Sequence, residues 1–266
     1  ELSAFKITAM QKVKIYTFWE GFMPSYIKLC LNTFKNSGYE FVMLNHSNLN
    51  GYISEKELPI EKLANFPPGA QGDIIAVHMM NRYKGYFIDA DTIFLDKINH
   101  LEELLDSNEL VMIGDEKVPF CHAAFILSRG DSVILHEWET KVKELWTAVE
   151  FSDNSGNQEN SSFEIKSNSF GNPLLHPLIE KWLSWVKILD KDWFLPENRG
   201  LKDVSSGKRN QAYNEFYFAE EIKDIHSAPF LILHNSWTPQ WFKDYTIEDI
   251  KLDNLFISRI LKQTAF

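Results

Sequence analysis

The stretch that most constrains this chain is Tyr86-Phe87-Ile88-Asp89-Ala90-Asp91, followed by Thr92-Ile93-Phe94-Leu95. Tyr86, Phe87 and Ile88 are aromatic or β-branched, and such an apolar run reads as a buried strand. It ends in two aspartates. Side chains two apart in an extended chain share a face, so the carboxylates of Asp89 and Asp91 are expected to converge at the strand end. Two like charges there repel unless water or a cation lies between them. Hard divalent cations, Mn²⁺ or Mg²⁺, prefer oxygen ligands and bridge to substrate phosphates. The stretch predicts a metal–diphosphate site, with a solvated strand end as the plainer alternative.

The flanking sequence alternates strand and helix. Val13 to Trp19 predicts a first strand, broken at Glu20-Gly21. Pro24 opens a helix over 25–36, which Gly38 stops, and Tyr39 to Leu44 predicts a second strand. A helix over 74–83 then leads to the central strand. Asp73 suits its N-terminal turn, where a carboxylate satisfies free amides, and it suits a ligand contact equally well. Downstream, the pattern predicts a short helix at 98–105, strands at 110–114 and 123–128, and helices at 132–149 and 177–189. A late strand at 230–233 and a helix at 246–262 follow, with polar loops at 152–169 and 196–214. The strand–helix–strand opening predicts an α/β fold with a Rossmann-like mixed sheet flanked by helices. Residues 1–266 read as a single domain. Its core is expected at 13–127, and its later helices, loops and closing segment at 128–266.

Charge narrows the function. The formal net charge of −10 argues against nucleic acid as partner and against simple electrostatic docking on anionic lipid. An anionic ligand then needs a metal or a few basic side chains. Cys30 and Cys121 show neither metal spacing nor a disulfide framework, which predicts a reducing, cytoplasmic compartment. No signal peptide or bilayer-spanning apolar run is evident. Peripheral association with the inner face of a membrane is compatible with this.

Three stretches now line up: Trp19-Glu20-Gly21, Gly72-Asp73 through Asp89-Ala90-Asp91, and His234-Asn235-Ser236-Trp237. Their order resembles the Asp-x-Asp sugar-transferase family that includes capsular-polysaccharide synthesis enzymes (glycosyltransferase family 32 and relatives). The resemblance covers most of 13–127 and returns at 234–237. The chain keeps Asp73, Gly85, an aromatic at Phe87, Asp89 and Asp91. It departs from the pattern at Ala76, where the family has Arg, and at Lys84, where it has Gly.

The resemblance implies a GT-A-type fold and a metal-dependent, retaining transfer of a sugar from a nucleotide-sugar, with a UDP-sugar expected, to a glycan or glycoconjugate acceptor. It implies that Trp19, with Phe18 beside it, meets the base. Asp73 and Asp89 would touch the ribose and donor sugar, Asp91 would ligate Mn²⁺ or Mg²⁺, and His234 would be a further metal or phosphate contact. Ser236 and Trp237 would close over the diphosphate, in a segment expected to be mobile without donor. Asp115 and Glu116, just after a strand, read as a solvated turn rather than as an acidic neighbour of the reaction, and His122 is placed on the acceptor side.

Two rival readings stand beside this one. Phe87-Ile88-Asp89-Ala90-Asp91-Thr92-Ile93 matches the nucleophile motif of haloacid-dehalogenase-type phosphatases. That motif normally sits on the first strand, whereas here a strand–helix–strand unit precedes it. Ala76 gives weight to a nucleotide-sugar-binding module without catalysis.

Overall fold

A computed structural model of the chain describes residues 13–115, 120–154, 165–198, 206–225 and 228–266. In chain order the regular elements are β1 (Lys14–Phe18), α1 (Ser25–Asn36), β2 (Glu40–Leu44), α2 (Ile60–Leu63), α3 (Pro68–Arg82), β3 (Gly85–Ile88), β4 (Thr92–Phe94), β5 (Leu110–Asp115), β6 (Phe120–Ser128) and α4 (Val133–Asn154). Then come α5 (Asn172–Lys181), β7 (Val186–Asp190), α6 (Ser206–Tyr217), β8 (Phe230–Ile232), α7 (Gln240–Lys243), α8 (Ile247–Leu252) and α9 (Phe256–Thr264).

Six strands form one sheet in the order β2-β1-β3-β6-β5-β7. β1 pairs parallel with β2 and β3, β5 pairs parallel with β7, and β6 runs antiparallel to both β3 and β5. This is the mixed, helix-flanked α/β sheet that the strand–helix–strand opening predicts. Alternation along β3 shows how the sheet holds its two layers. Tyr86 and Ile88 enter one apolar cluster with Ile15, Val111 and Phe125. Phe87 enters the other with Tyr16, Met112 and Ile126. Gly85 opens β3 at φ +158°, and a Cβ there would lie 2.5 Å from the Lys14 carbonyl oxygen. Only glycine lets β1 and β3 approach this closely at that point.

Several elements differ from the sequence expectation. α3 begins at Pro68, using proline in its first turn, so Asp73 lies in the second turn rather than at the N-terminus. The helix expected over 177–189 is α5, ending at Lys181, followed by β7. The Trp182/Trp185 spacing imitates a helix, whereas Val186 and Ile188 are buried with period two. α6 occupies the second half of the stretch expected as a loop at 196–214, and α4 runs on to Asn154, into the loop expected at 152–169. β8 pairs antiparallel with β4 in a separate two-stranded sheet rather than joining the main one. The tail divides into α8 and α9, because Asp253 leaves helical geometry (ψ 152°) after a Thr246–Asp249 capping box has opened α8. Among the described residues no helix is long and apolar enough to cross a membrane.

Candidate active site at the strand ends

Every strand of the main sheet except β6 runs in one direction. The C-terminal ends of β1, β3 and β5 therefore share an edge with the N-terminal end of β6. Ligands of α/β sheets collect at such an edge. Here it gathers Trp19, Asp89, Asp115 and His122. The β5–β6 register slips between Met112 and Ile113, so β6 bulges beside the site. The carbonyl of Ala124, within that bulge, accepts the Asp89 N–H at 2.9 Å.

The two aspartates are not equivalent. β3 stops at Ile88 and the chain turns at Ala90-Asp91, so the side chains do not project from one extended strand. Asp89 stays open to solvent, while Asp91 is 9% exposed. Asp91 Oδ2 accepts the Asn235 N–H at 2.8 Å, and its carbonyl accepts the Leu233 N–H at 3.0 Å. Burial first, and the Asp89 charge second, push the Asp91 carboxyl above the ordinary carboxylate range, against the lowering effect of the Asn235 bond. The protein crowding Asp89 raises its carboxyl too, although water reaches it. Asp73, half-buried on α3, is held well above the usual range by burial and then by the charge of Asp89. Three acids thus share one field, in which each disfavours ionisation of the next.

At the end of β1, Trp19 is half-buried. Its indole N–H donates to the Phe22 carbonyl at 3.2 Å and its backbone N–H to the Leu44 carbonyl at 3.0 Å. The ring is held in place with its one polar hydrogen already engaged. Phe18 lies 5.9 Å from the His46 ring. His46 in turn meets Gln71 Oε1 through Nε2 at 2.8 Å, and its backbone N–H donates to Glu20 Oε2 at 2.8 Å. His46 and Gln71 escaped the sequence reading, and Glu20 entered it only as part of the strand end. Their only signal was adjacency to strand ends or to Asp73.

The 234–237 segment packs beside the acid pair through Asn235. Tyr26, buried on α1, donates its hydroxyl hydrogen to Asn235 Oδ1. The Trp237 and Thr238 amides both donate to the His234 carbonyl at 2.9 Å. Ser236 is exposed, and the Trp237 ring lies 4.1 Å from that of His234. Nε2 of His234 sits 3.7 Å from Oε1 of the buried Glu197, with no hydrogen-bond partner among the described residues. Burial, then His122, then Arg209 push His234 down to about 3. Burial and then His176 push His122 down to about 4. The two rings, 6.0 Å apart, are therefore neutral near pH 7. Asp115 pairs with Lys191 Nζ at 3.2 Å, and Glu116 lies outside the described residues.

Two further positions bear on the missing family arginine. Ala76 is buried in the apolar layer under the sheet. Arg82 is taken by Glu57 at 2.6 Å and Glu139 at 3.4 Å. Neither supplies a cation to the strand ends. Arg209, on α6, is the basic group whose charge reaches His234.

Asp89 and Asp91 fit a divalent cation on charge and donor type. Both are oxygen donors, no cation pairs with either among the described residues, and each raises the cost of ionising its neighbour. Among the described residues no three His, Cys, Asp or Glu groups are gathered for one metal. The protein would thus offer the aspartates, with phosphate and water oxygens completing the shell, as is usual for Mg²⁺. Among the described residues His234 is not gathered with Asp89 and Asp91 into a three-ligand set. Its ring is turned to Trp237, Tyr213 and Glu197.

Comparison with known proteins gives two results. The sequence model of a family described as capsular polysaccharide synthesis protein matches residues 3–147. A solved structure of the WbbM bifunctional glycosyltransferase, in its apo form, is similar with a TM-score of 0.43 at 13% identity. That match covers 97% of this chain and 52% of the other, so the chain spans about half of that protein's solved length. No curated protein matches.

Proposed function

The chain belongs to the capsular polysaccharide synthesis family, and from that premise we propose that it is a GT-A-type glycosyltransferase moving a sugar from a nucleotide-sugar to a glycan or glycoconjugate acceptor. A UDP-sugar is the donor in this reading, transfer retains anomeric configuration, and Mn²⁺ or Mg²⁺ is required. The observation that carries it is the trio Asp73, Asp89 and Asp91 near the carboxyl ends of the strands, with no cation paired with Asp89 or Asp91 among the described residues.

The residues divide the work as follows. Trp19 presents a fixed aromatic face to the base, with Phe18 beside it. Asp73 and Asp89 orient hydroxyls of the ribose and donor sugar. Asp91 is anchored by Asn235 and, with Asp89, holds the cation, which when bound neutralises charge developing on the departing diphosphate. Ser236 and the Trp237 indole offer hydrogen-bond donors to the phosphates, and Arg209 adds a positive field on that side. His122, uncharged, faces the acceptor side, where a neutral ring nitrogen exchanges hydrogen bonds with sugar hydroxyls, and His234 is a further metal or phosphate contact.

A thermal-shift panel of UDP-, GDP- and CDP-sugars, with and without Mn²⁺, tests this reading. Binding to the folded state alone raises the melting temperature by mass action. Stabilisation by UDP-sugars that needs Mn²⁺ is the expected result. No shift with any nucleotide-sugar, or equal shifts without metal, contradicts it. Turnover of p-nitrophenyl phosphate instead would point to the phosphatase reading of Asp89.

A further inference from the structure

Gly171, the residue before α5, packs directly on the carboxyl group of Asp73. A Cβ at Gly171 would lie 2.3 Å from Asp73 Oδ2, 2.7 Å from Oδ1 and 2.6 Å from Cγ. No real contact is that short. The Gly171 φ of −92° is not left-handed, and the space that a side chain there would need is occupied by Asp73. Asp73 and Gly69 are four apart on α3 and share a face of the helix. At Gly69 a Cβ would lie 2.8 Å from the Ser167 carbonyl oxygen. The 165–171 segment is thus pressed onto α3 at two successive turns.

That segment cannot back away easily. The Phe170 side chain is fully buried, its ring lies 5.2 Å from Phe66, and its carbonyl accepts the indole N–H of the buried Trp138 at 2.7 Å. When a methyl group is added at Gly171, the group left to yield is the Asp73 carboxyl, on a side chain with only two torsions. It would turn from the position in which it feels the charge of Asp89.

We propose that Gly171 is a positioning residue for donor binding: its bare Cα, fixed by the Phe170 and Ser167 contacts, sets the direction in which the Asp73 carboxyl faces the donor. The inference rests on the reading of Asp73 as a donor contact and adds the element that aims it. It also links the segment before α5 to donor affinity, although nothing in its sequence suggests a ligand contact.

The test is a double-mutant cycle of Gly171→Ala and Asp73→Ala, read by melting temperature and by donor KM and kcat. Gly171→Ala is expected to lower the melting temperature and raise donor KM about tenfold, with kcat changed less. In the Asp73→Ala background, which frees the space for the methyl, Gly171→Ala should cost little in either readout. Equal losses in both backgrounds would overturn the proposal, because the methyl would then be felt elsewhere. Relief of the melting-temperature loss, with donor KM unchanged by Asp73→Ala, would leave the contact standing. It would remove both Asp73 from the donor site and Gly171 from its positioning role.

Discussion

The backbone amide of Asn235 donates a 2.8 Å hydrogen bond to Oδ2 of Asp91, joining residues 144 positions apart in the chain. Through it the segment after β8 is fastened to the acid pair at the end of β3, with Tyr26 of α1 holding the Asn235 side chain from behind. The segment expected from sequence to be mobile without donor carries these bonds in the protein alone.

Hydrogen exchange reads this directly. The amide of Asn235 is expected to exchange slowly in the protein alone. Asp91→Ala removes the acceptor of that part-buried donor, a cost of up to about 1–3 kcal/mol, and should speed its exchange. Asp91→Asn keeps an acceptor oxygen and should preserve protection. Rapid exchange at Asn235 in the unaltered protein would show that the segment is not held by Asp91.

Burial raises the carboxyls of Asp89 and Asp91 above their ordinary value, and the Asp89 charge adds to the rise at Asp91, which fixes the sign of a pH effect. A carboxyl raised on folding binds its proton more tightly in the native state. The stability it contributes is present below the unfolded value and is lost as pH rises through the folded one. Without divalent cation, the melting temperature should therefore fall as pH rises above the ordinary carboxylate range. Asp91→Asn should lessen that fall, and comparison of the two proteins cancels the contribution of His122, His234 and other titrating groups. Mn²⁺ should restore stability to the unaltered protein and do little for Asp91→Asn. Identical pH profiles for the two proteins would remove the acid pair as the source.

Trp19 offers a separate test. Its indole N–H is spent on Phe22, so the ring is a platform rather than a hydrogen-bonding group. Base–aromatic stacking is worth about 1–3 kcal/mol. Trp19→Ala should then weaken UDP binding roughly tenfold or more, whereas Trp19→Phe should recover much of it. Unchanged affinity by calorimetry in a folded Trp19→Ala would assign the ring to packing alone.

The legible part of the chain was the part written in local pattern. The apolar run before Asp89 and the first strand–helix–strand unit announce themselves through periodicity, whereas the steric need for glycine at 85 shows only once β1 and β3 are paired. What escaped was set by distant partners. β7 looked helical because Trp182 and Trp185 are spaced like one face of a helix, and its strand character comes from pairing with β5. Asp91 looked like a twin of Asp89 until the turn at Ala90 carried it inward to Asn235. The neighbours of the His234 ring, Glu197, Trp237 and His122, are likewise set by the fold and leave no trace in the local sequence. Gly171 carried no signal at all, since its meaning lies in a contact with Asp73, far back along the chain.

The central claim is that the acid pair serves sugar transfer from a nucleotide-sugar. The most direct measurement is release of nucleoside diphosphate from UDP-, GDP- and CDP-sugars, with Mn²⁺ or EDTA, by the unaltered protein and by folded Asp91→Asn. UDP release that requires Mn²⁺ and is abolished in Asp91→Asn is the expected result. Full release in EDTA, or full release by Asp91→Asn, would contradict it.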